Sequence, residues 1–96
     1  MYKVYAILRI NDSSHQSEPY VSVEVASNYE EELIDKLRDL YNEYLEMVAS
    51  WYSEEDKQTE WYQNMLKQIE WDTDRKGFTD SSGYKEYVRY VIKELA

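Results

Sequence analysis

The only histidine, His15, stands in a polar stretch beside Ser13, Ser14 and Ser17, with Asp12 close by. Serine, histidine and aspartate are the parts of an acyl-transfer triad, in which the imidazole takes the hydroxyl proton and the carboxylate orients the ring. Four neighbours in one loop rarely reach that arrangement, and nothing nearby supplies oxyanion donors. An exposed loop histidine is the plainer expectation. Asp72, Asp74 and Gly77 take positions one, three and six of a calcium-loop pattern, where oxygen ligands and a sharp turn are required. Lys76 then puts a cation at position five, and Gly83 stands where a bidentate glutamate must close the site. Aspartate and glycine also build ordinary turns. The chain has no cysteine, which excludes disulfides, thiolate chemistry and cysteine-based metal sites. Carboxylates are plentiful, but no pair is placed by pattern in a buried position suited to glycoside hydrolysis. No phosphate-binding glycine loop, zinc spacing or nucleotide fingerprint occurs. No catalytic residue, metal ligand or cofactor is assigned, and a non-enzymatic protein is expected.

What remains is a pattern of carboxylates. Glu31, Asp35, Asp39 and Glu43 follow one another at four-residue steps, and Glu46 comes three residues later. On a helix these share one face, and like charges at that spacing cost a few tenths of a kcal/mol per pair. Counter-ions are at hand only early, Lys36 for Glu32 and Arg38 for Asp35. Between Asp39 and Asp56 there is no lysine or arginine, whereas Asp39, Glu43, Glu46, Glu54, Glu55 and Asp56 are all acids. A surface chosen for helix stability alone intersperses both signs. The stripe is either a solvated face or a surface shaped for a basic partner.

The second anomaly is aromatic: 11 of 96 residues are tyrosine. Tyr44 and Tyr84 fall at core positions. Tyr29, Tyr52, Tyr62, Tyr87 and Tyr90 cannot all turn inward. Tyrosine and tryptophan give rigid contact area with a polar tip and are enriched at binding hot spots. The alternative is that tyrosine fills a core poor in leucine and phenylalanine, its hydroxyl reaching water.

The element that must carry the stripe is a long amphipathic helix over residues 27–52. Leu33, Leu37, Leu40, Tyr44, Val48 and Trp51 recur at three- and four-residue steps, widened by Tyr41, Leu45 and Met47. Ser27 with Glu30 reads as a capping box, and Glu30, Glu31 and Glu32 suit the positive end of the helix dipole. Before it, residues 2–10 alternate, with Val4, Ala6, Leu8 and Ile10 on one side and Lys3, Tyr5, Ile7 and Arg9 on the other. Residues 11–19 form a loop, and residues 20–26 a second strand with Val21, Val23 and Val25 pointing one way. The pair suggests a wide antiparallel hairpin whose Val/Leu face the helices must cover. Ser53 to Asp56 looks like a second helix start, and Trp61, Tyr62, Met65, Leu66 and Ile69 carry that helix to about Trp71. Residues 72–83 form a loop that could hide a short third strand near Phe78. A last helix is expected over residues 84–95, with Tyr84, Val88, Val91, Ile92 and Leu95 inward. The expected fold class is α+β, an N-terminal antiparallel β-hairpin packed against two or three helices in the order ββααα, with residues 1–96 as one domain.

Twenty acids against 11 bases give a formal net charge of -9. That field repels nucleic acid and anionic membranes and speeds encounter with basic proteins. The start MYKVYAILRI lacks the features of a signal peptide, and no apolar run approaches the ~18 residues of a membrane span. A soluble cytoplasmic protein is expected, in the host cytoplasm if phage-encoded. The partner-binding residues assigned are Glu31, Asp35, Asp39, Glu43, Glu46, Tyr52, Glu54, Glu55 and Asp56. Acids along one helix face recur every ~6 Å, whereas each DNA strand carries a phosphate about every 3.4 Å. Copying a duplex therefore needs a second row, either Glu54, Glu55, Asp56 and Glu60 or Asp72, Asp74 and Asp80. In size and composition alone the chain is similar to small acidic phage proteins that block host nucleases, anti-CRISPR proteins among them; no motif carries that likeness. The expected function is a protein-binding inhibitor that occupies a basic, nucleic-acid-binding site on a partner such as a nuclease. The alternative is a structural or homo-oligomeric protein that pairs through exposed aromatics.

Overall fold

The structure, a computed structural model, describes residues 3–13, 20–72, 76–82 and 86–95. The elements are β1 (Tyr5–Ser13), β2 (Tyr20–Ser27), α1 (Glu30–Ser50), a 3-10 turn (Asp56–Gln58), α2 (Glu60–Leu66), β3 (Ile69–Trp71), β4 (Gly77–Asp80) and β5 (Glu86–Glu94). The strands form one antiparallel sheet in the order β2-β1-β5-β4-β3. The fold is thus α+β, as expected, but with five strands and two helices among the described residues in place of ββααα. Among the described residues no helix is long and apolar enough to cross a membrane.

The largest correction is at the C-terminus, where β5 replaces the expected last helix. Glu86–Glu94 is rich in Tyr, Val and Ile, which prefer the extended state. It pairs with β1 along its whole length, from Tyr5 opposite Glu94 to Ser13 opposite Glu86. Those ladder bonds outweigh the helical spacing of Val88, Val91 and Ile92, which alternation accommodates equally well. The second helix also contracts. Ser53 does cap, accepting the Asp56 N–H at 3.1 Å, but it starts only the 3-10 turn. Thr59 restarts the chain as α2 by accepting the Tyr62 N–H at 3.1 Å. Ile69 and Trp71, expected at the helix end, lie in β3. The strand suspected near Phe78 is β4.

The hairpin is present, yet its faces differ from expectation. Ile7, not Leu8, joins Leu33, Leu37, Phe78 and Ile92 in the buried cluster. α1 therefore covers the Tyr5–Ile7–Arg9 side of β1. A register shift between Ile7 and Leu8 leaves Glu24 as an extra residue between Val23 and Val25. Such a bulge reverses the alternation: Val25 packs against the core, whereas Val21 and Val23 follow Leu8 and Ile10 onto the outer side, half exposed.

α1 begins two residues beyond the capping box read from the sequence. Ser27 Oγ accepts the Tyr29 N–H at 3.0 Å and donates to Glu32 Oε2 at 2.9 Å, so it shapes the turn before the helix. Leu33 and Leu37 are fully buried, each stabilising by about 1.5–3 kcal/mol. Beside them a row of rings crosses the sheet: Trp71 stacks on Phe78, and Phe78 on Tyr90 with centroids 4.6 Å apart. Tyr41 and Tyr44 of α1 set their rings onto this row at steep angles. Close approach at the start of β4 requires glycine. A Cβ on Gly77 would lie 2.7 Å from both Asp72 Oδ2 and the Tyr90 carbonyl oxygen.

Candidate functional site

α1 has 21 residues and is therefore about 31 Å long. Because Leu33 and Leu37 fix one side of it against the sheet, the opposite side is turned to solvent. Glu31, Asp35, Asp39, Glu43 and Glu46 are all exposed there. Among the described residues none of the five is in an ion pair. The pairs that do form are Lys76 with Glu30 at 2.7 Å, Lys57 with Glu54 at 3.1 Å and Lys3 with Glu94 at 3.8 Å, all off the stripe.

The early counter-ions read from the sequence are not used as expected. Glu32 accepts from Ser27, and no Asp35–Arg38 pair forms among the described residues. Lys36 lines a cleft of about 280 Å³ between α1 and β2 together with Glu24, Val25, Asp39, Leu40 and Glu43. Three acids and one cation share that flank, so the local field stays negative.

Of the two possible second rows, one is lost. Asp80 is 8% exposed; it accepts the Tyr44 hydroxyl and, at 2.6 Å, the Ser82 hydroxyl. Asp72 is half-buried, and Asp74 lies outside the described residues, as do His15 and Gly83. Glu54, Glu55, Asp56 and Glu60 are exposed, just past the C-terminal end of α1. Tyr52 is half-buried, its ring set edge-on to Trp61 at 5.4 Å and Tyr62 at 5.5 Å. Between α1 and α2 opens a cleft of about 450 Å³, lined by Val48, Trp51, Tyr52, Trp61 and Met65 among others. Trp51 and Trp61 are 62% and 59% exposed. Trp51, read as inward, sits past the last turn of α1 and escapes the core. Of the assigned residues, Glu31 to Glu46 thus share one helix face, and Tyr52 to Asp56 follow at its end beside an aromatic cleft.

The surplus tyrosines divide. Tyr62 is buried and Tyr90 half-buried against Phe78, whereas Tyr29 and Tyr87 are exposed. Tyr84 lies outside the described residues. Sequence reasoning missed a polar cluster beneath α1. Burial, and then donation to Asp80, push the Tyr44 hydroxyl well above its ordinary pKa. Burial raises Tyr90 as well, against the opposing pull of Arg9. Arg9 lines a cleft with Leu40, Glu43, Tyr44, Met47 and Tyr90, and its buried Nε has no partner among the described residues. The available signal was the alternation that put Arg9 on the same side as Ile7. Among the described residues no group of His, Asp and Glu is arranged to hold a metal ion.

Fold and site together define a class: a helix-on-sheet α+β protein that presents a carboxylate face, without ion pairs among the described residues, ending in an aromatic cleft. Beyond that class, the chain matches no protein-family model, no curated protein and no solved structure.

Proposed function

We propose that the protein is a non-enzymatic inhibitor whose acidic helical face seats in a basic, nucleic-acid-binding groove of a partner protein, a nuclease being the concrete case. The observation that carries this reading is the stripe Glu31, Asp35, Asp39, Glu43 and Glu46, exposed and without ion pairs among the described residues. Five carboxylates in that state are a pre-formed anionic ridge. A groove built for phosphates offers arginine and lysine, and meeting it removes the like-charge repulsion along α1. Tyr52 and the Trp51–Trp61 cleft add apolar area and faces for cation–π contact where the acids end. The ridge is sparser than a DNA strand, so it competes for the groove's charge and does not copy its ligand's geometry.

The test is affinity capture from host lysate at low salt, with duplex DNA as competitor. The expected partner is a basic nuclease that DNA displaces, and whose affinity falls roughly tenfold or more when salt rises from 50 to 300 mM. Replacing Asp39, Glu43 and Glu46 together by lysine should abolish capture while the circular dichroism spectrum stays unchanged. Undiminished binding by that triple variant would place the site elsewhere.

A further inference from the structure

We propose that the outer face of the sheet, opposite α1, is a self-association surface on which two copies pack sheet to sheet over Leu8, Ile10, Val21, Val23 and Tyr87. The two central strands carry the argument. Ile7 of β1 and Ile92 of β5 face α1, while Leu8 and Ile10, in adjacent positions, face away, as does Val91, which is already buried at 3% exposure. Strands apolar on both sides belong to sheets covered on both sides. Among the described residues α1 covers one side of β1, and the molecule is 21 Å through its shortest axis, about one sheet plus one helix.

The uncovered face is large. Val21, Val23 and Tyr87 are 50%, 59% and 55% exposed, and half-buried Leu8 and Ile10 lie between them. Together they present on the order of 300–400 Å² of apolar surface, the scale that marks interaction sites on small proteins. Two such faces, with the charged residues around them, approach the ~1,200 Å² at which specific interfaces begin.

Charge selects a second copy as the occupant. The acids of the stripe, without ion pairs among the described residues, lie on the α1 side. On the outer face, register places Arg89 and Lys93 of β5 with Asp12 of β1 and Glu70 of β3, two charges of each sign. A strongly basic partner is drawn to the helix side and has no preference for this one. A second copy, repelled by a net charge of -9 elsewhere, meets a balanced surface here. Face-to-face packing at a sheet spacing of about 10 Å leaves the two acidic helices on opposite outer sides, some 30 Å or more apart and beyond the ~8–10 Å screening length. Side-by-side pairing through β2 is the weaker geometry, because the bulge at Glu24 breaks that edge.

The test is sedimentation equilibrium of the whole chain and of a double-lysine variant, with crosslinking through single introduced cysteines. Wild type is expected to dimerise at tens of micromolar and to remain dimeric at high salt. Val21→Lys with Val23→Lys, both at exposed positions, should be monomeric at the same concentration with an unchanged circular dichroism spectrum, although the added lysines lower the mutual repulsion. Leu8→Cys, in a chain otherwise free of cysteine, should join two copies through a short bismaleimide, because β1 is interior to the sheet and only face-to-face packing brings two Leu8 positions close. Three outcomes overturn the proposal: a monomer up to millimolar concentration, a dimer that survives the double substitution, or linkage at Ser22→Cys on the β2 edge but not at Leu8→Cys. Neither variant touches the carboxylate stripe, so nuclease capture by the monomeric variant tells failure of this proposal from failure of the inhibitory reading.

Discussion

Among single residues, Tyr44 does the most to tie α1 to the far strands. Its ring meets Phe78 and Tyr90, and its hydroxyl donates to buried Asp80. Tyr44→Phe keeps the ring and removes the donor, leaving Asp80 with the Ser82 contacts alone. The expected cost near neutral pH is about 1–2 kcal/mol. The folded state raises the pKa of this hydroxyl, so the stabilisation it gives is complete below the unfolded value of about 10 and is lost as pH climbs from there toward the folded value. Tyr90 shifts in the same direction. Wild type should therefore lose stability with alkali faster than Tyr44→Phe, and their difference in Tm should shrink between about pH 9 and pH 11. Thermal unfolding followed by circular dichroism at both values checks this. A constant difference would mean that the hydroxyl is not shielded in the folded chain.

At the level of elements, α1 is the support on which the acidic stripe depends. Leu37→Ala removes a side chain with no exposure from the middle of the contact between α1 and the sheet. A loss of about 2–5 kcal/mol is expected, a large fraction of the stability of a domain this size. The urea midpoint should fall sharply, and an unchanged midpoint would show that α1 is not anchored there. This helix was legible in the sequence because its apolar steps extend over five turns without Gly or Pro. The acidic face was legible for the same reason, since the position of Leu37 fixes that of Asp39 and Glu43. β5 was not legible: Val88, Tyr90 and Ile92 satisfy alternation while Val88, Val91 and Ile92 satisfy a helix, and the pairing with β1 that decides between them is eighty residues away in the chain. β3 is three residues long, too short for any period to register. The outer apolar face was misread because alternation shows which residues of β1 share a side but not which side α1 covers, and because one extra residue, Glu24, reverses the register of β2. The bond between Tyr44 and Asp80 spans elements whose relative placement no local pattern gives.

Over the whole molecule, charge and apolar surface are segregated: carboxylates on the helix side, balanced charge and aliphatic area on the sheet side. An acidic ridge without ion pairs among the described residues is under strain in the free protein. Each four-residue step along Asp35, Asp39 and Glu43 sets like charges together at a cost of a few tenths of a kcal/mol, on a helix whose last turn holds no basic residue to satisfy its dipole. Replacing Asp35 and Asp39 by asparagine and Glu43 by glutamine keeps shape and hydrogen-bonding capacity while removing the repulsion. The lower helix propensity of asparagine subtracts little from the gain. The triple variant should therefore melt at or above the wild-type Tm at low ionic strength. That advantage should shrink as salt screens the wild-type ridge, and partner capture should be lost. Stability gained together with binding lost is the mark of a surface kept for function, the exchange known from strained binding sites. Equal melting temperatures at low and high salt, with capture intact, would instead identify the carboxylates as an ordinary solvated face.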